Sequence, residues 1–154
     1  IIALTRQKLP VFDQSRFASA SNLVKGAYVL ISSDNPEVLL LATGSEVHLA
    51  VGAYEKLNAD GIRSRVVCMP SWELFEVQSE KYKESVLPRS ITKRVAIEAG
   101  VKLGWERYIG SQGEFIGMSG FGASAPANVL FEKFGLTVER VVEKAKKLLL
   151  EQQM

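Results

Sequence analysis

Apolar and polar positions follow two different rhythms along the chain. Short, nearly unbroken apolar runs at 27–32 (AYVLIS), 38–42 (VLLLA), 64–69 (SRVVCM), 93–98 (KRVAIE) and 114–118 (EFIGM) predict β-strands. The leucine-rich run 38–42 carries no polar residue at all, as expected of a strand buried on both faces. Between these runs the spacing becomes helical. Val47, Ala50, Val51, Tyr54 and Leu57 share one face of a helix at 46–58 that closes at Asp60-Gly61. Val138, Val141, Val142, Ala145, Leu148 and Leu149 share one face of a helix at 138–152, with Thr137 as its N-cap. A shorter helix at 127–134 ends at Gly135, and Ser71 caps another through Glu73, Leu74 and Phe75. Residues 82–87 precede a break at Pro88, and 105–109 form a short helical or irregular piece.

Strands that alternate with helical segments argue for right-handed βαβ units, hence an α/β fold with a mostly parallel sheet covered by helices. The turn Ser33-Asp34-Asn35-Pro36 predicts that the strands flanking it pair as an antiparallel hairpin. Residues 1–5 read as a strand, followed by a polar cluster and Pro10, and 11–25 lack strong periodicity. We therefore expect 1–24 to be the end of a preceding domain with its linker, and 25–154 to be the domain proper.

Composition narrows the function classes. The 154 residues are 47% hydrophobic and 23% charged, enough for one globular domain. A net charge of +2, with basic residues scattered among acids, argues against a nucleic-acid partner. The single cysteine, Cys68, excludes a disulfide within the chain and a CxxC metal site. The chain has neither an apolar run long enough to cross a membrane nor the pattern of a signal peptide, and a cytoplasmic location is expected.

Candidate chemistry is sparse. Thr43, Gly44 and Ser45 stand where a strand's carboxyl end meets a helix N-terminus, a place that can hold an anion. Thr43 and Glu46 also fit a capping box, the structural reading of the same turn. Gly122-Ala123-Ser124-Ala125-Pro126 reads structurally too, its small residues allowing close helix–strand approach and Pro126 suiting a first helical turn. His48, the only histidine, has no cysteine or second histidine to complete a metal site, and no catalytic group is assigned. Cys68 reads as a small hydrophobe, Trp72 and Trp105 as interface or local-core aromatics, and Glu73 with Glu76 as a solvated helix face. Arg6, just after a strand end, has the forked donor geometry that suits a phosphate.

Four segments in order, ALTRQKLP at 3–10, LLLATGSEVHLA at 39–50, MPSWELFE at 69–76 and FGASAPANVLFEKFG at 121–135, resemble the C-terminal end of the transketolase family. The resemblance implies a three-layer sandwich around a five-stranded, mostly parallel sheet with one antiparallel strand. It implies an enzyme that moves a two-carbon ketol unit from a ketose phosphate to an aldose phosphate, with thiamine diphosphate and Mg2+ or Ca2+ as cofactors in a homodimer. Arg6 matches the family's arginine that contacts the substrate's phosphate. The family's diphosphate- and metal-binding segment and its activating glutamate have no counterpart in these residues, so the chain alone is expected to bind neither cofactor and to be inactive. Its partners would be the remainder of the transketolase chain and sugar phosphates, and its own role structural, dimer-stabilising or regulatory. The alternatives are another thiamine enzyme, such as deoxyxylulose phosphate synthase or a 2-oxo acid dehydrogenase β subunit, and a freestanding small-anion binding module.

Overall fold

The computed structural model describes residues 2–5 and 7–151. Its centre is β2 (Val38–Ala42), in which all five residues are buried. Side chains alternate across a strand, so Leu39 and Leu41 enter one core while Val38, Leu40 and Ala42 enter the other. Such a strand belongs in the middle of a sheet. Accordingly β3 (Ser64–Cys68) pairs parallel along one side of it and β4 (Arg94–Ile97) parallel along the other. β5 (Glu114–Ile116) extends the sheet in parallel beyond β4, and β1 (Tyr28–Ser32) closes the opposite edge antiparallel to β3, giving the order β1-β3-β2-β4-β5. The fold class is the expected one, an α/β sandwich around a five-stranded mixed sheet with one antiparallel strand.

The expected hairpin of the first two strands does not form, because β3 lies between them. Residues 33–37 instead cross the start of β3, where Ser33 N–H donates to the Ser64 carbonyl at 2.9 Å and Glu37 N–H to that of Arg63 at 2.8 Å. Asn35, at φ 47°, is followed by Pro36, which is not the two-residue primed turn that would fold β1 back on β2. With no polar face to leave on an outer strand, β2 is better buried between two parallel neighbours.

Two helical layers cover the sheet. On one face lie α1 (Val47–Ala59), entered through a 3-10 turn at Gly44–Glu46, then α5 (Ala127–Phe134) and α6 (Val138–Leu150). Val47, Ala50, Val51 and Leu57 of α1 join Val141, Ala145 and Leu148 of α6 in the core, matching the predicted faces except for Tyr54, Val138, Val142 and Leu149, which are half-buried. Thr137 caps α6 by accepting the Arg140 N–H, and α5 ends in left-handed Gly135, both as predicted. On the other face lie α2 (Trp72–Glu76), α3 (Glu80–Val86) and α4 (Glu106–Ile109). Ser71 caps α2 as expected, and Ser79 caps α3, so that helix begins ahead of the predicted 82–87. Arg94 ties this layer to the sheet: its guanidinium donates to the carbonyls of Leu87, Pro88, Ile91 and Tyr108, serving the ends of α3 and α4 at once.

Trp105 is fully buried and donates its indole N–H to Glu98 at 2.7 Å, which makes it core rather than interface. Trp72, half-buried, packs edge-on against it at 5.3 Å. Glu76 is not simply solvated: it accepts the Tyr108 hydroxyl at 2.9 Å, and burial together with that carboxylate pushes Tyr108 up to about 12. Residues 2–5 pair with no strand among the described residues, contrary to the strand expected at 1–5, of which Ile1 lies outside the described residues. Within the aperiodic 11–25, Ser19 caps a 3-10 helix at Ala20–Lys25.

Two glycines with the same left-handed backbone separate strain from packing. At Gly26 (φ 79°) a Cβ would sit 2.2 Å from Phe75 N and 2.3 Å from Ser71 O, whereas at Gly61 (φ 78°) it would meet nothing within 4 Å. Gly61→Ala should therefore cost about 1–2 kcal/mol from the backbone alone, and Gly26→Ala distinctly more, about 3–5 kcal/mol, since α2 must shift. Equal losses in urea unfolding would show that Gly26 makes no close contact. A second expectation concerns pH. Burial alone would raise the Glu114 carboxyl, but hydrogen bonds from Lys147 and Lys144 outweigh it and hold it below the ordinary glutamate range. A lowered folded-state value contributes stability that is present above the unfolded value and lost as pH falls through the folded one. Unfolding midpoints followed from neutral into acid should therefore fall less steeply for Glu114→Gln than for the wild type.

Candidate functional site

All four parallel strands point the same way, so the loops at 43–46, 69–71, 99–104 and 117–126 gather along one carboxyl edge of the sheet. This is where open α/β sheets place ligand crevices. The loops are joined by backbone hydrogen bonds: Met69 N–H donates to the Ala42 carbonyl at 2.9 Å and Met118 N–H to that of Gly100 at 2.7 Å. Beside α5 the loops at 99–104 and 117–126 border a groove of about 740 Å3, walled by Ala99, Met118, Phe131 and Phe134, with Thr5 and Gln7 contributing from the N-terminal segment.

The turn after β2 is not a capping box. Thr43 makes no side-chain cap bond, and Glu46 does not return to the backbone of residue 43. Thr43 is extended and Gly44 left-handed (φ 56°), so the chain enters a 3-10 turn and Glu46 does not occupy the third position of an α-helix. The buried Glu46 carboxylate reaches across the sheet edge instead. It accepts the Ala99 N–H at 3.2 Å, and the Ser45 hydroxyl donates to its other oxygen. Of the candidate anion ligands, Gly44 is exposed while Thr43 and Ser45 are half-buried, and the Ser45 hydroxyl is engaged by Glu46. The sequence pattern gave no sign of this bond, because Ala99 lies 53 residues away on the loop after β4.

The second turn also departs from expectation. Residues 119–126 are exposed, and a Cβ at Gly120 or Gly122 would meet nothing within 4 Å, so small size there serves no close packing. Pro126 takes the N-cap position of α5 rather than a place in its first turn.

His48 lies half-buried on α1 with its ring stacked on Phe131, centroids 6.4 Å apart, and its Nδ1 is buried without a hydrogen-bond partner among the described residues. Cys68 is half-buried in β3; burial raises its thiol, and a hydrogen bond with Tyr28 only partly offsets that, which suits a packing role. Arg6 lies outside the described residues, between the two that line the groove. Among the described residues no group of three or more His, Cys, Asp or Glu side chains could hold a metal ion. No helix among these residues is long and apolar enough to cross a membrane.

A mixed α/β sandwich with a small-residue carboxyl edge defines the architecture, and comparison with known proteins names the family. The family model for the transketolase-like TK C-terminal domain matches residues 26–137. Transketolase 1 of Escherichia coli is 50% identical over 149 residues, 96% of this chain and 22% of its own length. The transketolase of Aquifex aeolicus is 51% identical over 93% of this chain and 21% of its own. In the solved structures, the transketolase of Pichia stipitis in complex with sedoheptulose-7-phosphate superposes with a TM-score of 0.85 at 36% identity, covering 96% of this chain and 21% of that one. The chain belongs to the transketolase-like C-terminal domain family, and it spans about a fifth of the length of the curated relatives it matches.

The Glu46 geometry can be tested by stability. Glu46→Ala removes the charged acceptor of the Ala99 N–H and should cost about 1.5–3 kcal/mol, while Glu46→Gln, which keeps an acceptor, should cost less than about 1 kcal/mol. Thr43→Ala should fall below the roughly 0.5–2 kcal/mol of a lost cap. A larger loss for Thr43→Ala than for Glu46→Ala in denaturant unfolding would restore the capping box.

Proposed function

We propose that the chain is the C-terminal part of a transketolase, an enzyme that transfers a two-carbon ketol unit from a ketose phosphate to an aldose phosphate. The observation that carries this is the family match across 26–137 together with relatives named transketolase at about 50% identity over nearly the whole chain. The same relatives favour transketolase over the other thiamine enzymes and over a freestanding anion-binding module. In this reading thiamine diphosphate and Mg2+ or Ca2+ are bound outside this chain, whose described residues supply no cluster to hold them. The longer polypeptide works as a cytoplasmic homodimer. Residues 1–24 close the preceding domain and lead across to the domain at 25–154, whose own contribution is mechanical: it steadies the longer polypeptide without touching the reacting atoms.

Arg6 is the residue of this chain assigned to the substrate, donating to the phosphate of the sugar. The turn at Thr43, Gly44 and Ser45 is assigned to structure rather than to a regulatory anion. Its buried Glu46 carboxylate at the helix start would repel a negative ligand from the positive end of the helix.

The test lies in the longer enzyme. Arg6→Ala should raise KM for phosphorylated sugars by about 10- to 100-fold, the equivalent of the 1.5–3 kcal/mol of a charge-assisted hydrogen bond. Acceptors without a phosphate should change less than about twofold, since they never made the contact. Equal losses for both kinds of substrate would show that Arg6 is structural.

A further inference from the structure

We propose that the carboxyl edge of the sheet is the seat of the domain that precedes this one in the longer polypeptide, with Phe121 as the side chain that inserts into it. This rests on the family reading above. The two ends of the sheet differ sharply in charge. At the amino edge, ion pairs join Arg63 to Glu37, Lys146 to Asp60, and Lys144 and Lys147 to Glu114. At the carboxyl edge the loop at 117–126 (GMSGFGASAP) holds no charged residue, 69–71 holds none, 43–46 holds only buried Glu46, and 99–104 holds only Lys102. An edge that faced water in the working protein would carry the solvated charges that its opposite end carries.

Apolar side chains take their place. Phe121 is 101% exposed, Leu103 82% and Val101 60%. A lone exposed apolar residue is ordinary, but these three stand on two loops that are bonded together through Met118 N–H and the Gly100 carbonyl. Gly120 and Gly122 flank Phe121 with open space around both, and the fully exposed ring is covered by none of the described residues. The described lining residues of the adjoining groove, Phe131, Phe134, Leu130 and Met118 among them, are mostly apolar, which suits an apolar protein surface.

The occupant follows from the family and from the N-terminal segment. The matching family is a C-terminal domain, so a longer polypeptide of this family has a part that precedes it, and this chain spans 22% of the length of one such relative. The segment leading to that part of the protein reaches the domain at this same edge, where Thr5 and Gln7 line the groove. The preceding domain is thus delivered to the end of the sheet whose loops are poorer in charge.

Hydrogen exchange distinguishes the outcomes without any substitution. Amides of 99–104 and 117–126 should exchange about tenfold or more slowly in the longer polypeptide than in this chain alone, while those of 110–113 at the amino edge should not change. Phe121→Ser in the longer polypeptide should return most of that protection. Equal exchange in both proteins would overturn the proposal. So would protection in this chain alone that grows with its concentration, which would make the occupant a second copy, or protection that appears only with added sugar phosphate, which would make the edge a ligand site. Ketol-transfer assays on the same longer polypeptide keep the two claims apart. Activity without protection overturns the docking surface and leaves the family reading standing, whereas protection without activity supports the surface and overturns the reaction.

Discussion

The complete burial of β2 is the constraint from which the rest of the structure follows. Five residues without a polar side chain, Val38 to Ala42, can be accommodated only where both faces and both hydrogen-bonding edges are covered. Covering the edges places β3 and β4 alongside, and covering the faces requires one helical layer led by α1 and α6 and another made of α2, α3 and α4. A buried leucine contributes about 1.5–3 kcal/mol, so the three leucines of this strand represent a large share of the stability of a domain this size.

Two charged side chains that enter this interior do so with partners. Arg94 enters the second layer because four carbonyls at the ends of α3 and α4 receive its donors, and burial lowers its pKa from the ordinary arginine value. Glu46 is buried because the Ala99 N–H and the Ser45 hydroxyl meet its carboxylate. In both cases one side chain satisfies backbone or hydroxyl groups from different loops, which holds those loops in register. The consequence for function is a rigid edge whose chemistry is muted: its one buried carboxylate is occupied with structure, and its longest loop carries no titratable group.

Rigidity without reactive groups fits a domain that supports catalysis carried out elsewhere in the polypeptide. The contrast between the ion-paired amino edge and the charge-poor carboxyl edge gives the domain a direction. One end carries ion pairs, while the other presents the exposed side chains of Phe121 and Leu103.

Local signals in the sequence were enough to determine the elements and their caps. The periods of the apolar runs located all five strands and the long helices, and Ser71, Thr137 and Gly135 marked helix ends because capping depends on residues a few positions apart. The fold class followed from the alternation of those elements. Neighbours in space were another matter. That β3 separates β1 from β2, that Glu46 bonds to Ala99 instead of capping its own turn, and that Gly120 and Gly122 have open space beside them were decided by the tertiary structure. The reason is physical: a short turn followed by an apolar run is compatible with either pairing, and a glutamate near a helix start can satisfy either its own backbone or a distant one. Only the competition among all strands for the two edges of β2, and among all buried N–H groups for the available acceptors, selects between them.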